Sequence, residues 1–356
     1  MIKRVYLSVF FFVLLYNQQA FSAIPAGYYN GADGFSGSAL KTQLYNAIKV
    51  HTALTYSELW TAFRTTDVRA DGKVWDIYSN ATNFVFGTNQ DSGSGGSAEG
   101  QFYNREHSFP KSWFADATPM YTDLFHLYPS DKWVNNQRGN MPFGNVQSVT
   151  GFSTNHYCEW GTSNESGTSL MVFEPADEMK GDFARTYFYM VTRYENLVAS
   201  WKSNANTEML SGNSYPALSS WAISVLLEWS RLDPVSAKER ARNDIIYTNF
   251  QHNRNPYIDY PSLAEYVWGD STTYAFHPSK YTFVPVVKSE TPVFRVWAEH
   301  GYLHVQTAVG EVVEVLDLTG NVIERSIANQ AESIIQTGMH RFVLVRIENQ
   351  VQKVLL

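Results

Sequence analysis

The chain has 356 residues, 44% of them hydrophobic and 15% aromatic, enough to fill a core and too many for a disordered protein. Charged residues make up 17% and the net charge is −7, which excludes a uniformly basic nucleic-acid binder and leaves any grip on phosphate to local cations. Cys158 is the one cysteine, so no intramolecular disulfide frames the fold, and it reads as a small apolar side chain rather than a nucleophile.

The length suggests about two domains. Lys3 and Arg4 precede an apolar run from Val5 to Tyr16, short for a membrane span, and Ala20-Phe21-Ser22 offers small residues before Ala23. This predicts a secretory signal over residues 1–22 and an exported protein, secreted or held at the cell surface. Residues 40–64 predict two short amphipathic helices with a break near His51-Thr52. Lys73 to Tyr78 alternates like a strand, and the Gly/Ser-rich stretch from Gly87 to Gly100 reads as a loop. Pro110 ends a strand that carries Glu106 and His107. Asp131 to Asn140 is polar and fits a helix with Asn135 and Arg138 turned inward. Glu174 to Glu178 is an acidic helix start, and apolar residues then recur at helical spacing from Phe183 to Trp201. Arg185 and Arg193 share another stripe, either a solvated face or a phosphate contact. Two more helical runs follow, Trp221 to Leu232 and Ser236 to Phe250. After Pro285 the text changes to short alternating strands, from Val293 to Leu356, which predicts a small β-sandwich beginning near Val287.

Two blocks carry chemistry. The first is Asn104-Arg105-Glu106-His107-Ser108-Phe109-Pro110-Lys111, and the second runs from Asp123 to Gly139. Together they offer a carboxylate, an imidazole, a carboxamide and a guanidinium, the set needed to hydrolyse a phosphodiester with one hard metal ion. Each piece also has a plain alternative. A Glu-His pair is commonly a surface carboxylate beside a half-buried imidazole, and neighbours on a strand point to opposite faces. Asn135-Asn136 could simply cap or turn the chain. Asp123 and His126, three apart, could orient one another or form half of a zinc site, although no zinc-ligand spacing is present.

The ordered blocks Tyr103 to Trp113, Asp123 to Asp131, Val134 to Gly144, Phe173-Glu174-Pro175, Lys180-Gly181-Asp182 and Asn253-Arg254-Asn255-Pro256 resemble the endonuclease I family of bacterial secreted and periplasmic nucleases. The resemblance spans roughly residues 40–270. It implies an α+β fold: a mixed helical nuclease domain over 23–286 with an embedded ββα-metal (His-Me finger) motif, followed by the all-β domain over 287–356. It implies His107 as general base and Glu106 with Asn135 as ligands of one Mg²⁺, a place that Mn²⁺ or Ca²⁺ can also take. Arg138 is our candidate for the charge on the transferring phosphate, and Arg105, Lys111, Arg185 and Arg254 are the candidates for substrate phosphates. The expected activity is sequence-nonspecific cleavage of DNA, and of RNA as well, by a monomer that leaves 5′-phosphates. Val313-Glu314-Val315-Leu316-Asp317-Leu318-Thr319-Gly320 and the closing Val351-Gln352-Lys353-Val354-Leu355-Leu356 give the residues after about 290 a resemblance to the C-terminal sorting domain of type IX secretion in Bacteroidetes, which implies a secretion machinery as partner. The alternatives to a Mg²⁺ nuclease are a zinc hydrolase built on Asp123 and His126, and a non-enzymatic surface adhesion protein.

Overall fold

The computed structural model describes residues 24–205, 207–280, 294–299, 302–317, 322–330, 332–336, 342–347 and 350–355. The expected signal segment 1–22, its cleavage point before Ala23 and the boundary near Val287 lie outside them. Two compact units result, Met1–Tyr281 and Thr282–Leu356.

In the first unit α1 (Gly37–Ile48) and α2 (Glu58–Thr66) bury Leu40, Leu44 and Ile48, and Leu59, Ala62 and Phe63, at the three- and four-residue spacing of one helix face. Two antiparallel strands, β1 (Tyr103–His107) and β2 (Leu127–Asp131), pair from Tyr103↔Asp131 to His107↔Leu127. The chain then runs directly into α3 (Lys132–Arg138). Asp131 makes that junction abrupt: its carboxylate accepts from the backbone N–H of Trp133 and Val134 at 2.9 and 3.0 Å. An N-cap of this kind contributes about 1 kcal/mol. A meander of β3 (Ser148–Phe152), β4 (Glu159–Ser163) and β5 (Leu170–Glu174) follows.

The centre of the unit is α4 (Asp177–Arg193), buried nearly all round. Beyond it come α5 (Val198–Trp201), α6 (Ser220–Leu232), α7 (Ala237–Ile245), α8 (Pro256–Asp259) and α9 (Leu263–Val267). Gly181 sets how closely α4 meets the end of α6, because a Cβ there would lie 2.0 Å from the Asp233 carbonyl oxygen. Aromatic rings fill the core: Phe143, Phe183, Tyr187 and Trp229 are all fully buried.

The second unit is two antiparallel sheets. One has the order β10–β7–β6 and the other β12–β11–β8–β9. The strands are β6 (Arg295–Glu299), β7 (Tyr302–Gln306), β8 (Val312–Leu316), β9 (Val322–Ile327), β10 (Glu332–Gln336), β11 (Phe342–Ile347) and β12 (Gln350–Leu355). Leu303 and Val305 from one sheet share a core with Val313, Val315, Val343 and Val345 from the other.

The fold is therefore α+β followed by an all-β region, as expected. Two local expectations need correction, and several strands were not anticipated. Lys73 to Tyr78 is not a strand: only Val74 pairs, with Val68, and Asp76 turns inward to accept from the N–H of Tyr78 and Asp131. The helix expected from Phe183 to Trp201 breaks at Tyr194, which leaves helical geometry and donates its hydroxyl to buried Asp123 at 2.8 Å. Strands β3, β4, β5, β9 and β10 gave no usable pattern; β9, at a sheet edge, is exposed and partly charged and so lacks a buried face.

Candidate active site

β1, α3 and the segments that follow each of them line an open cleft of about 250 Å³ whose walls include Tyr56, Arg105, Glu106, His107, Lys111 and Asn135. Strand alternation sorts the side chains of β1. Asn104 and Glu106 reach α3, where they meet Asn135 and Arg138. Arg105 and His107 reach the opposite way, to Tyr56 and Tyr121. All four line the same cleft, so the opposite faces of a strand end share one site with no bend in the strand.

His107 is 6% exposed. Its Nε2 lies 3.0 Å from the Tyr121 carbonyl oxygen. A carbonyl can only accept, so Nε2 carries the proton and Nδ1 of the neutral ring keeps its lone pair. Burial pushes the His107 pKa well below the usual histidine value, and the neighbouring His126, Lys111 and Arg105 act in the same direction. The ring is thus neutral and able to take a proton at neutral pH.

Glu106 is 3% exposed, and one oxygen, Oε1, accepts both from the Tyr78 hydroxyl at 2.7 Å and from Arg138 Nη1 at 2.8 Å. Burial raises its pKa and Arg138 pulls it back, with a net upward direction. The carboxylate is the more costly member of the pair, so a further cation beside Oε2 would favour its charged form. Asn135 Nδ2 donates to Asn104 Oδ1 at 2.8 Å, which fixes the amide and leaves its carbonyl oxygen as the free acceptor. One carboxylate oxygen and one carboxamide oxygen form a hard, sparse donor set. It suits an ion that keeps most of its waters. Among the described residues no cluster of three or more His, Cys, Asp or Glu could hold a metal.

The expected phosphate contacts fare differently. Arg138 is 1% exposed and turned away from the cleft. Its Nε donates to Met141 O, Nη1 to Glu106 and His107 O, and Nη2 to Ser108 O and Tyr187 Oη. All five of its N–H donors are used, so it braces Glu106 and the end of β1 instead of facing a phosphate. Arg185 is fully buried and forks onto Glu239, with both bonds at 2.7 Å, and Arg254 is enclosed by Asp244 and Asp259. Neither side chain is a solvated face or a substrate contact. Arg105 and Lys111 do line the cleft, and Lys111 pairs with exposed Asp116.

The zinc alternative finds no support. Asp123 is buried and accepts from Tyr189, Tyr194, Gln251 and Phe125, while His126 is bonded to the Met120 carbonyl. A second depression, lined by His156, Glu159, Glu174 and Asp177, is acidic and internally paired: His156 bonds Glu159 and Lys180 bonds Glu174 and Asp177. It would repel a phosphate. Sequence reasoning gave no role to Tyr56, Tyr78, Asn104 or Tyr121. Asn104 had a signal, since it sits two residues from Glu106 on the same strand face.

Comparison with known proteins fits this geometry. Residues 36–262 match the family model for Endonuclease I. The chain belongs to the Endonuclease I family. It is thus a nuclease that hydrolyses phosphodiester bonds, which removes the adhesion alternative. It is 39% identical over 252 residues to an extracellular ribonuclease of Bacillus amyloliquefaciens, covering 69% of this chain and 80% of that one. An extracellular ribonuclease of Bacillus subtilis (strain 168) is 39% identical over 246 residues, 68% of this chain and 78% of the relative. Endonuclease-1 of Buchnera aphidicola is 26% identical over 138 residues, 38% of this chain and 44% of the relative. The match to the family ends before the second unit begins.

Proposed function

We propose that this protein is an exported, Mg²⁺-dependent endonuclease that cuts DNA and RNA with little sequence preference and leaves 5′-phosphates. The observation that carries it is the pairing of a neutral His107, its Nδ1 lone pair left free by the Tyr121 contact, with the Glu106 and Asn135 oxygens in one cleft. His107 takes a proton from water as the water oxygen bonds to phosphorus. The bond from phosphorus to the 3′ oxygen breaks, and that oxygen leaves with a proton drawn from solvent. Glu106, through Oε2, and Asn135, through its carboxamide oxygen, would hold the ion, which when bound offsets charge on the phosphate oxygens. Arg138 and Tyr78 keep Glu106 in place, and Arg105 and Lys111 meet the substrate backbone.

The two relatives named extracellular ribonucleases support export and support RNA as one substrate. The N-terminal pattern at Lys3, Arg4 and the following apolar run supports export independently. Among the described residues no helix is long and apolar enough to cross a membrane. We assign the second unit to delivery by a secretion machinery.

Nicking of supercoiled plasmid and digestion of RNA, each in Mg²⁺, tests the reading. Both should proceed, stop with EDTA and resume with Mg²⁺ but not Zn²⁺. Cleavage that survives EDTA, or that Zn²⁺ alone restores, removes the metal assignment.

A further inference from the structure

Arg105 differs from the other arginines described around the core. Arg138, Arg185, Arg242 and Arg254 are buried and each is paired with a carboxylate at 2.7–2.8 Å. Among the described residues no carboxylate lies within ion-pair distance of Arg105. The nearby Asp91 is taken by Lys132 at 2.7 Å. Instead, the Arg105 guanidinium is packed between two rings. Its central carbon lies 3.4 Å from the Tyr56 centroid and 4.2 Å from that of Trp60. Nη1 donates to the Tyr56 carbonyl at 2.8 Å. The rings are fixed in turn. Thr55 and Glu58 bond reciprocally across the turn that leads into α2, which holds Tyr56 between them, and Trp60 follows one helical turn on. Tyr56 also packs on Tyr121 at 4.7 Å, and Tyr121 holds His107 through its carbonyl.

With aromatic rings against its plane, a guanidinium can meet a ligand only along its edge. That edge offers parallel N–H donors that match two oxygens of one phosphate. We infer that Arg105, clamped between Tyr56 and Trp60 beside Glu106 and His107, is an edge-on phosphate subsite for the strand in the cleft, with Tyr56 and Trp60 as its positioning residues. The inference rests on the phosphodiesterase reading of this site and deepens it. It gives the task once expected of Arg138 to a cleft-lining cation with no carboxylate partner among the described residues. A lysine would keep the charge but lose both the stack and the fork.

The test uses the full chain and fluorescein-labelled dT12, a strand without a guanine edge, with binding read by anisotropy in EDTA. Because no hydrolysis is involved, the result stands apart from the Mg²⁺ nicking assay above. Arg105→Ala should flatten the slope of log K against log salt by about 0.7, the share of one phosphate on a single strand. In Mg²⁺ it should raise KM at least about tenfold and leave kcat within a few-fold. Arg105→Lys should keep the salt slope and still raise KM. Tyr56→Leu and Trp60→Leu should follow Arg105→Lys, with melting checked so that a misfolded variant is not scored. The proposal is overturned by a wild-type slope and KM in Arg105→Ala, by full affinity in Arg105→Lys, by no wild-type binding of dT12 at low salt, or by a loss confined to guanine-containing strands.

Discussion

At the level of single residues, the site is set by which atom of each group is already occupied. Tyr121 holds His107 Nε2 and so presents Nδ1; Tyr78 and Arg138 hold Glu106 Oε1 and so present Oε2. His107→Ala should lower turnover by at least ~10²-fold, the low end for a general base, with the melting profile kept. Near wild-type turnover would remove His107 from the mechanism. Glu106→Ala and Asn135→Ala should each weaken Mg²⁺ binding, and excess Mg²⁺ should rescue Asn135→Ala better, because a hard cation loses more with a charged ligand than with a neutral one. Tyr78→Phe removes no ligand, yet should raise the Mg²⁺ needed for half-activity by roughly 10-fold, as loss of a group orienting a metal ligand does. Calorimetric Mg²⁺ titration of the three variants separates these effects from a change in chemistry. Unchanged affinity in both Glu106→Ala and Asn135→Ala sinks the site. That Glu106, His107 and Asn135 come together in one cleft was open to a reading of the sequence through their block and its family likeness. The place of Arg138 was not, because an arginine three residues after Asn135 can face the cleft or the carboxylate beneath it, and only the packing of Phe143 and Tyr187 around it decides.

At the level of elements, the β1–β2–α3 unit works because the segment 108–126 between the strands is anchored at several points. Ser108 donates both its backbone N–H and its hydroxyl to the His126 carbonyl, and the His126 ring is held by Met120 within a buried cluster. The helices α1, α2, α4 and α6 were legible from apolar spacing, α7 as a helical run resuming after Asp233-Pro234, and α3 from its polar face. The meander β3–β4–β5 was not, since its strands are half-exposed and short. The anchoring makes a pH prediction. Burial lowers the His126 pKa below its unfolded value of 6.5, so the unfolded chain binds the extra proton as pH falls. The stabilising effect of a neutral His126 is complete above pH 6.5 and is lost as pH falls through the folded pKa. His126→Gln keeps an N–H donor and cannot titrate. Its melting temperature should therefore fall less than that of wild type between pH 7 and pH 5. Equal losses in the two proteins would show that His126 does not carry the effect.

At the level of the whole molecule, each unit has its own apolar core, and every residue proposed for chemistry belongs to the first. The second is built of short alternating strands. The family match, over residues 36–262, leaves it out as well. The change in sequence pattern after Pro285 was legible because alternating strands read differently from helical spacing, whereas edge strand β9 was hidden by its polar surface. We therefore expect a chain ending at residue 286 to keep its specific activity and melting temperature, and cells expressing it to lose delivery of the enzyme to the surface or medium. Turnover and melting of the purified shortened chain, compared with the intact protein, measure the first expectation, and fractionation of producing cells measures the second. A large drop in turnover or melting would make the β unit part of the enzyme. Normal delivery without it would take away its sorting role, because a domain with a core of its own and no catalytic group has then no remaining task in export.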